Sequence, residues 1–180
     1  GNFSVDQKSS SFDNLNSKNF PFNTELESFL TFRGQVTGNE LRSVSPNLES
    51  FSVRTRHSFV KLPDDNYVPR KFDSRSGFGA ISYFDYASPI NESIEKKFIR
   101  RHRLQKKYPN QEISEPIKPI VYYLDRGAPE PIKSALIEGA SWWNDAYESA
   151  GFKNAFQIKV LPEGADMLDV RYNVIQWVHR

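Results

Sequence analysis

The sequence predicts an α+β protein in which an antiparallel, β-rich first part precedes a βαβ layer with one long helix. Short runs of alternating apolar and polar residues, separated by turn residues, fill the first half and are typical of antiparallel strands. Residues 129–150 instead carry apolar side chains at spacings of three and four, the period of an amphipathic helix. Two short apolar runs flank that helix, and this order favours two parallel strands joined by a right-handed crossover.

Composition narrows the classes of protein that the chain can be. Of its 180 residues, 38% are hydrophobic and 14% aromatic, which is enough for a packed core. The chain has no cysteine, so disulfides, thiolate zinc sites and cysteine nucleophiles are excluded. The net charge of +2 does not demand an anionic partner, and no apolar run reaches the roughly 20 residues that a membrane helix needs.

The first half is predicted to be strands joined by turns. Residues 1–24 are polar with isolated phenylalanines, a pattern that favours an extended segment pinned by single aromatic side chains. Strands are predicted at residues 25–34, 50–63 and 80–87, with turn or loop at residues 37–49 and 64–79.

A change in composition predicts the domain boundary. Residues 96–107 hold seven cations, and residues 111–119 contain two prolines and resemble a linker. We therefore predict a β-rich domain over residues 1–112, including the extended N-terminal segment, and a second domain over residues 113–180.

The second domain is predicted to contain a strand at 120–125, the helix at 129–150, and strands at 156–161 and 169–180. Pro129 and Glu130 suit the first helical turn, and Gly151 suits the position just past the helix end. The predicted core stripe of the helix comprises Ile132, Ala135, Leu136, Gly139, Trp143, Ala146, Tyr147 and Ala150. Trp142 is also expected to pack in the core, with contact to another domain as the alternative.

The closing strand raises a question about completeness. It runs to Arg180 with no turn residue after it, and the predicted layer has a helix for only one face of its sheet. We expect the sequence to be part of a longer protein, truncated at its C-terminal end.

Several uncommon strings carry a family resemblance. Residues 118–180, from "KPIVYYLDRGAPEP" to "VRYNVIQWVHR", closely resemble large bacterial zinc-dependent metalloproteases of the zincin class that carry uncharacterised flanking domains. The upstream strings "SFVKLPDDNYVPRKFDSRSGF" and "RRHRLQKKYP" resemble the same family. The resemblance spans residues 23–180, and none of these strings is itself a catalytic motif.

The resemblance implies an incomplete zincin-like layer upstream of the active site. In zincins, a later helix carries H-E-x-x-H, whose two histidines bind zinc and whose glutamate acts as general base. This chain lacks that motif, because its histidines His57, His102 and His179 are not four residues apart. We therefore assign no catalytic, cofactor-binding or metal-ligating residue here and expect zinc only in the full-length protein. The resemblance also implies export, to the periplasm or cell surface of a bacterium.

Other residues invite functional readings that we weigh against structural ones. Each histidine is expected to be an ordinary residue rather than a metal ligand, because a metal site needs several converging ligands. The run at 96–107 is expected to be a solvated face rather than a nucleic-acid site, since it interleaves few aromatics. Glu115, Asp125 and Glu130 could suggest an acid–base pair, but turn and helix-end roles explain Asp125 and Glu130.

Two functional hypotheses remain. In the first, the chain scaffolds the downstream zinc helix of a metallopeptidase, and its partners are that segment and a peptide substrate. In the second, it is a non-catalytic module that binds a protein or peptide by strand addition to an exposed edge. We expect no nucleic-acid partner and no membrane span, and exposed edges would also permit a dimer.

Overall fold

The computed structural model describes residues 2–178 and confirms the α+β class. Contacts divide the chain into two compact units. The first comprises the residues up to Leu62 together with Pro162–Asn173, and the second comprises Pro63–Leu161 and the residues from Val174 onward. The domain boundary that the sequence predicts between residues 112 and 113 is a different kind of division from these contact-based units, and it stays a prediction.

The first unit is an antiparallel sheet built on one long central strand. Its elements are β1 (Phe3–Val5), β2 (Ser11–Phe12), β3 (Lys18–Asn19), β4 (Asn23–Gly34), α1 (Asn39–Val44) and β5 (Ser50–Val60), with a 3-10 helix at Gln7–Ser9. β4 pairs with β5 along one edge and with β1, β2 and β3 in turn along the other. The strand predicted at 25–34 is confirmed, and the strand predicted at 50–63 is confirmed over Ser50–Val60 but ends three residues earlier.

The two faces of this sheet differ in chemistry because β4 alternates along its length. One face carries Leu26, Leu30 and Phe32, and Phe32 stacks on Phe51 of β5 with ring centroids 5.2 Å apart. The other face is largely polar, and its buried members on β4 are Asn23, Glu25, Glu27 and Thr31, while Phe29 and Arg33 on the same face are exposed. Buried carboxylates require partners, which Ser58 supplies to Glu25 and Arg56 to Glu27.

Within the segment predicted to be turn at 37–49, the structure instead contains the short helix α1. Glu40 lies in its first turn and Arg42 in its last, so both charges complement the helix dipole. The Ser45 N–H donates to the Leu41 carbonyl and closes the helix. The turn prediction was therefore wrong for these six residues.

The second unit contains a β-hairpin and a three-stranded sheet. Its elements are β6 (Ala80–Phe84), β7 (Glu95–Ile99), β8 (Ile120–Leu124), α2 (Ile132–Ser149), β9 (Phe156–Val160) and most of β10 (Asn173–Ile175), with a 3-10 helix at Ser74–Ser76. β6 and β7 are antiparallel, β8 and β9 are parallel, and the order in the second sheet is β10–β8–β9. The predicted βαβ unit is confirmed, while its handedness stays a prediction.

Both ends of α2 have identifiable caps. Helix geometry begins at Ile132, three residues later than predicted, and the Glu130 carboxylate accepts bonds from the backbone and side chain of Ser134. At the other end Gly151 has a φ of +86°, and its N–H donates to the Glu148 carbonyl. The Phe152 N–H donates to the Tyr147 carbonyl, which completes a Schellman motif and confirms the predicted role of Gly151.

The predicted closing strand at 169–180 is reduced to the three residues of β10. Asp169 turns the chain instead, because its carboxylate accepts a bond from the Arg171 N–H and its carbonyl accepts one from Tyr172. This side-chain bond competes with strand pairing despite the alternating apolar residues. Residues 176–178 form no regular element, and residues 179–180 lie outside the described range.

The apolar core of the second unit surrounds β8. Leu124 and Ala155 are fully buried, and the other core members in this region are Ile120, Ala128 and Leu161. Across residues 2–178, the helices are too short or too polar to cross a lipid bilayer.

Candidate functional site: the two sides of the β8–β9 layer

The parallel register of β8 and β9 assigns each residue to one side of the layer. Ile120 pairs with Phe156 and Tyr122 with Ile158, and Phe156 stacks on Tyr147 of α2, so this side faces the helix. The reverse side therefore carries Val121, Tyr123, Gln157 and Lys159, and none of these four side chains is buried. On the reverse side, Lys159 is exposed, and Val121, Tyr123 and Gln157 are each partly exposed.

On the helix side, three aromatic rings form a continuous stack. Tyr122 lies 5.5 Å from Phe156 between ring centroids, and Tyr147 lies 6.3 Å from Phe156 with nearly parallel planes. Burial, together with the neighbouring Tyr122 hydroxyl, raises the pKa of Tyr147 above its ordinary value. The phenol therefore stays neutral, and the stack is an apolar surface with polar tips.

A cleft of about 360 Å³ opens beside this stack. Its lining comprises His102, Tyr122, Ala140, Trp143, Tyr147, Phe156 and Ile175. The described lining holds no carboxylate, and aromatic rings with Ala140 and Ile175 form most of it, so it suits contact with an apolar side chain.

Trp143 and Trp142 lie where the predicted core stripe of α2 is wrong. Their exposed fractions are 60% and 68%, and no residue of α2 is buried. The partly buried side of α2 includes Leu136, Ala140 and Tyr147. Three residues turn a helix by about 300°, so the side chain of Trp143 points about 60° away from that of Ala140. The expectation of core packing for both tryptophans is therefore corrected to exposure on a flank of the helix.

The sequence-predicted histidines do not converge in the structure. His57 is exposed on β5, opposite Leu26 on the apolar face of the first sheet. His102 is exposed and lines the aromatic cleft in the second unit. His179 lies outside the described residues.

The three carboxylates considered as acid–base candidates each have a local structural partner. Glu115 accepts a bond from the Asn154 amide, and Asp125 accepts one from the Gly127 N–H in the turn that ends β8. Ser134 lowers the pKa of Glu130 by bonding its carboxylate at the start of α2. The turn role of Asp125 is confirmed. The placement of Pro129 and Glu130 in the first helical turn is wrong, because both precede the N-cap residue Pro131, and Glu130 contacts the helix through Ser134.

A zinc site does not fit the residues at hand. Within residues 2–178, no group of three or more histidine, cysteine, aspartate or glutamate side chains is placed to hold a metal ion. The ligands of the zinc that the resemblance implies would have to come from elsewhere.

Comparison with known proteins identifies the first part of the chain. Residues 1–107 match the family described as Domain of unknown function (DUF5117), and this match covers more than half of the chain. The chain belongs to the DUF5117 family. No match was found among the curated proteins or among the solved structures.

The cationic run at 96–107 closes the DUF5117 match, and most of its charges have partners in the chain. Lys96 and Lys97 pair with Glu92 and Glu95 on or beside β7. Arg103 forms a bidentate pair with Asp64, which holds the pKa of that carboxyl well below its ordinary value.

The other cations of this part of the DUF5117 match contact rings and carbonyls. Arg101 lies over the Tyr67 ring at 4.9 Å, and Lys106 donates to the carbonyls of Gln111 and Glu112. These contacts favour the structural interpretation of the run.

Sequence reasoning missed the aromatic cleft, whose lining comes from residues beyond the DUF5117 match except for His102. The signal was present in part, because Tyr122, Tyr147 and Phe156 each lie at an inward position of a predicted element. Their stacking depends on how α2 crosses the strands, which periodicity does not specify.

Proposed function

We propose that this chain is the non-catalytic upstream part of a zinc-dependent metallopeptidase of the zincin class. Its β8–α2–β9 layer would position a zinc-binding helix encoded further along the same protein, outside the cytoplasm of a bacterium. Support comes from the string resemblance over residues 118–180 together with the parallel βαβ order.

The partial solvent exposure of the reverse side of the β8–β9 layer is the observation on which the proposal rests. Val121 and Tyr123 present apolar surface there, and none of the four side chains on that side is buried. An apolar face of a sheet is normally packed against another element, and α2 already covers the other face of this sheet. A helix that packs on the reverse side would bury this surface and would be held by the sheet in a fixed orientation.

The exposed flank of α2 offers a second surface for the same scaffold role. Trp142 and Trp143 present large apolar areas in adjacent positions, and exposed aromatic patches are typical of contacts with other polypeptide. We assign no catalytic step to any residue of the chain.

Zinc content and peptide hydrolysis test the proposal. The 180-residue chain and the product of the entire reading frame are each purified, analysed for zinc and incubated with casein, with and without a chelator. We expect the longer product to hold zinc and to cleave casein in a chelator-sensitive manner, while the 180-residue chain does neither. Chelator-sensitive cleavage by the 180-residue chain itself, or none by the longer product, would contradict the proposal.

A second candidate function, peptide binding by strand addition, is favoured by the edge strand β5. This strand pairs only with β4 among the strands of residues 2–178, and it presents eleven residues along its outer edge.

A further inference from the structure

The outer edge of β5 presents backbone groups at alternate residues. The Lys61 N–H donates to the Phe22 carbonyl and the Gly34 N–H donates to the Glu49 carbonyl, so odd-numbered residues of this strand face β4. By the alternation of an antiparallel ladder, the even-numbered residues direct their N–H and C=O groups outward. These are Ser52, Arg54, Arg56 and Ser58, and no other strand among residues 2–178 pairs there.

Two arginine side chains line this edge on the polar face. The side chains of Arg54 and Arg56 have exposed fractions of 61% and 42%. Both lie on the outermost strand, so they would be directly adjacent to an added strand. Glu27, on the neighbouring strand, is buried and lies 2.7 Å from Arg56 and 3.6 Å from Arg54. Glu27 accepts hydrogen bonds from Arg56, whereas Arg54 lies only within ion-pair distance of Glu27 and, at 3.9 Å, of Asp13. Much of each guanidinium group stays accessible.

The opposite face of the edge carries two exposed apolar side chains. Val53 is 37% exposed and Phe59 is 62% exposed, and both lie on the face that carries Leu30 on β4, with Thr55 and His57 between them. A strand added to β5 would therefore meet cationic side chains on one face, and on the other an apolar side chain on either side of Thr55 and His57.

A second copy of the chain does not match this edge. Two β5 strands could pair antiparallel over their whole length through their outward-facing residues. In that register, Arg54 of each copy lies opposite Arg56 of the other. Like charges directly opposite each other on paired strands are destabilising, whereas opposite charges are favourable.

We infer that the β5 edge binds an extended, antiparallel peptide segment with two acidic residues at alternate positions and an apolar residue on either side of that pair. The acidic side chains pair with Arg54 and Arg56, the apolar ones cover Val53 and Phe59, and the backbones continue the ladder. This inference rests on the second proposed function, strand addition, and specifies the chemistry of its peptide.

Three short fluorescein-labelled peptides test it by fluorescence anisotropy with the 180-residue chain. They share a valine-rich sequence and carry glutamate, glutamine or lysine at the two positions opposite the arginines. Two favourable cross-strand pairs should tighten binding of the glutamate peptide over the glutamine peptide by roughly two- to thirtyfold. The lysine peptide should bind most weakly, and the differences should shrink as salt is added.

Substitutions locate the binding edge. Arg54→Glu should shift the preference from the glutamate towards the lysine peptide, whereas the matched reversal Arg75→Glu, at an exposed arginine of the second unit, should not. Arg54→Pro removes one outward N–H without removing a bond to β4 and should weaken binding of every peptide. Circular dichroism checks that each variant keeps its sheet, and the comparison of peptides on the unmodified chain requires no variant.

Each alternative outcome has a defined meaning. If none of the peptides binds, strand addition itself fails and the inference fails with it. Equal binding of the three peptides would keep strand addition and overturn the acidic specificity. A dimer that forms with increasing concentration and is lost in Arg54→Pro would overturn the inference in favour of a second copy.

Discussion

The side-chain amide of Asn23 accepts a hydrogen bond of 3.0 Å from the backbone N–H of Val170, which is 147 residues away in the sequence. The same amide donates to the Leu168 carbonyl at 2.8 Å, so one buried side chain replaces a pair of ladder bonds. The start of β4, the central strand of the first sheet, is thereby fixed to the segment Pro162–Asn173 within the first unit.

Loss of this amide should destabilise the chain. Asn23→Ala removes both bonds and also the 2.6 Å bond that the amide donates to the buried Glu25 carboxylate, which should together cost about 1–3 kcal/mol. Urea unfolding measures the cost, and limited proteolysis should show earlier cleavage within residues 162–173. Asn91→Ala, at an exposed asparagine, should change neither, and equal effects of the two substitutions would contradict the assigned role.

A second contact to the same segment should make stability depend on pH. The Lys18 ammonium bonds the Asp166 carboxylate and lowers its pKa below the ordinary value of 3.8. Because the folded pKa is depressed, the stabilising effect is present above pH 3.8 and is lost as the pH falls through the lowered pKa.

Asp166→Asn tests this dependence. At pH 7 it should lower the free energy of unfolding by at most about 1 kcal/mol, since Lys18 is partly exposed. The difference from the unmodified chain should disappear once the pH lies below the lowered pKa. Asp65→Asn provides an exposed control, and a difference for Asp166→Asn that grows in acid would reverse the assigned sign.

Alanine substitution at three glycines should change the stability of the chain in three different ways. At Gly151, φ is +86° and a Cβ would lie 2.8 Å from the Glu112 carbonyl oxygen, so Gly151→Ala should cost roughly 2 kcal/mol or more. Gly164 has a φ of +73° but open space, and its replacement should cost roughly 1 kcal/mol.

Gly139 lies inside α2, and a Cβ there would also meet open space. Gly139→Ala should therefore raise the free energy of unfolding by roughly 0.5–1 kcal/mol. Thermal or urea unfolding of the three variants gives this order directly. A Gly151 variant as stable as the Gly164 variant would contradict the close approach to Glu112.

Two neighbouring aromatics of α2 should differ in their importance for stability. Tyr147→Ala breaks the stack with Phe156 and should cost about 2 kcal/mol or more, while Trp143→Ala should cost less than about 1 kcal/mol. Urea unfolding separates the two. A larger cost at Trp143 would restore the core position that periodicity had predicted for it.

The sequence predicted the elements better than their surfaces. Alternation located β4 and β5 because both strands keep a strict period of two, and the spacing of apolar residues located α2. The same alternation failed at Val170–Tyr172, where one Asp169 side chain bonds the backbone and turns the chain.

Which side chains of a strand or helix are buried depends on how the elements pack, and the spacing of apolar residues in the sequence does not determine that packing. The buried face of β4 contains Glu25 and Glu27, whose burial depends on partners from β5. On α2 a rotation of about 60° separates the inward Ala140 from the exposed Trp143, and that rotation is set by the strands beneath. The same limit kept the cleft and the β5 edge from being predicted.

Cysteine labelling of the reverse side of the β8–β9 layer tests the central claim most directly. The chain has no cysteine, so Lys159→Cys places one thiol on that side and Glu138→Cys places a control on exposed α2. We predict that both react with maleimide in the 180-residue chain, and that in the product of the entire reading frame only the Lys159→Cys thiol becomes protected. Equal reactivity of Lys159→Cys in both proteins would contradict the claim that a downstream helix covers this side.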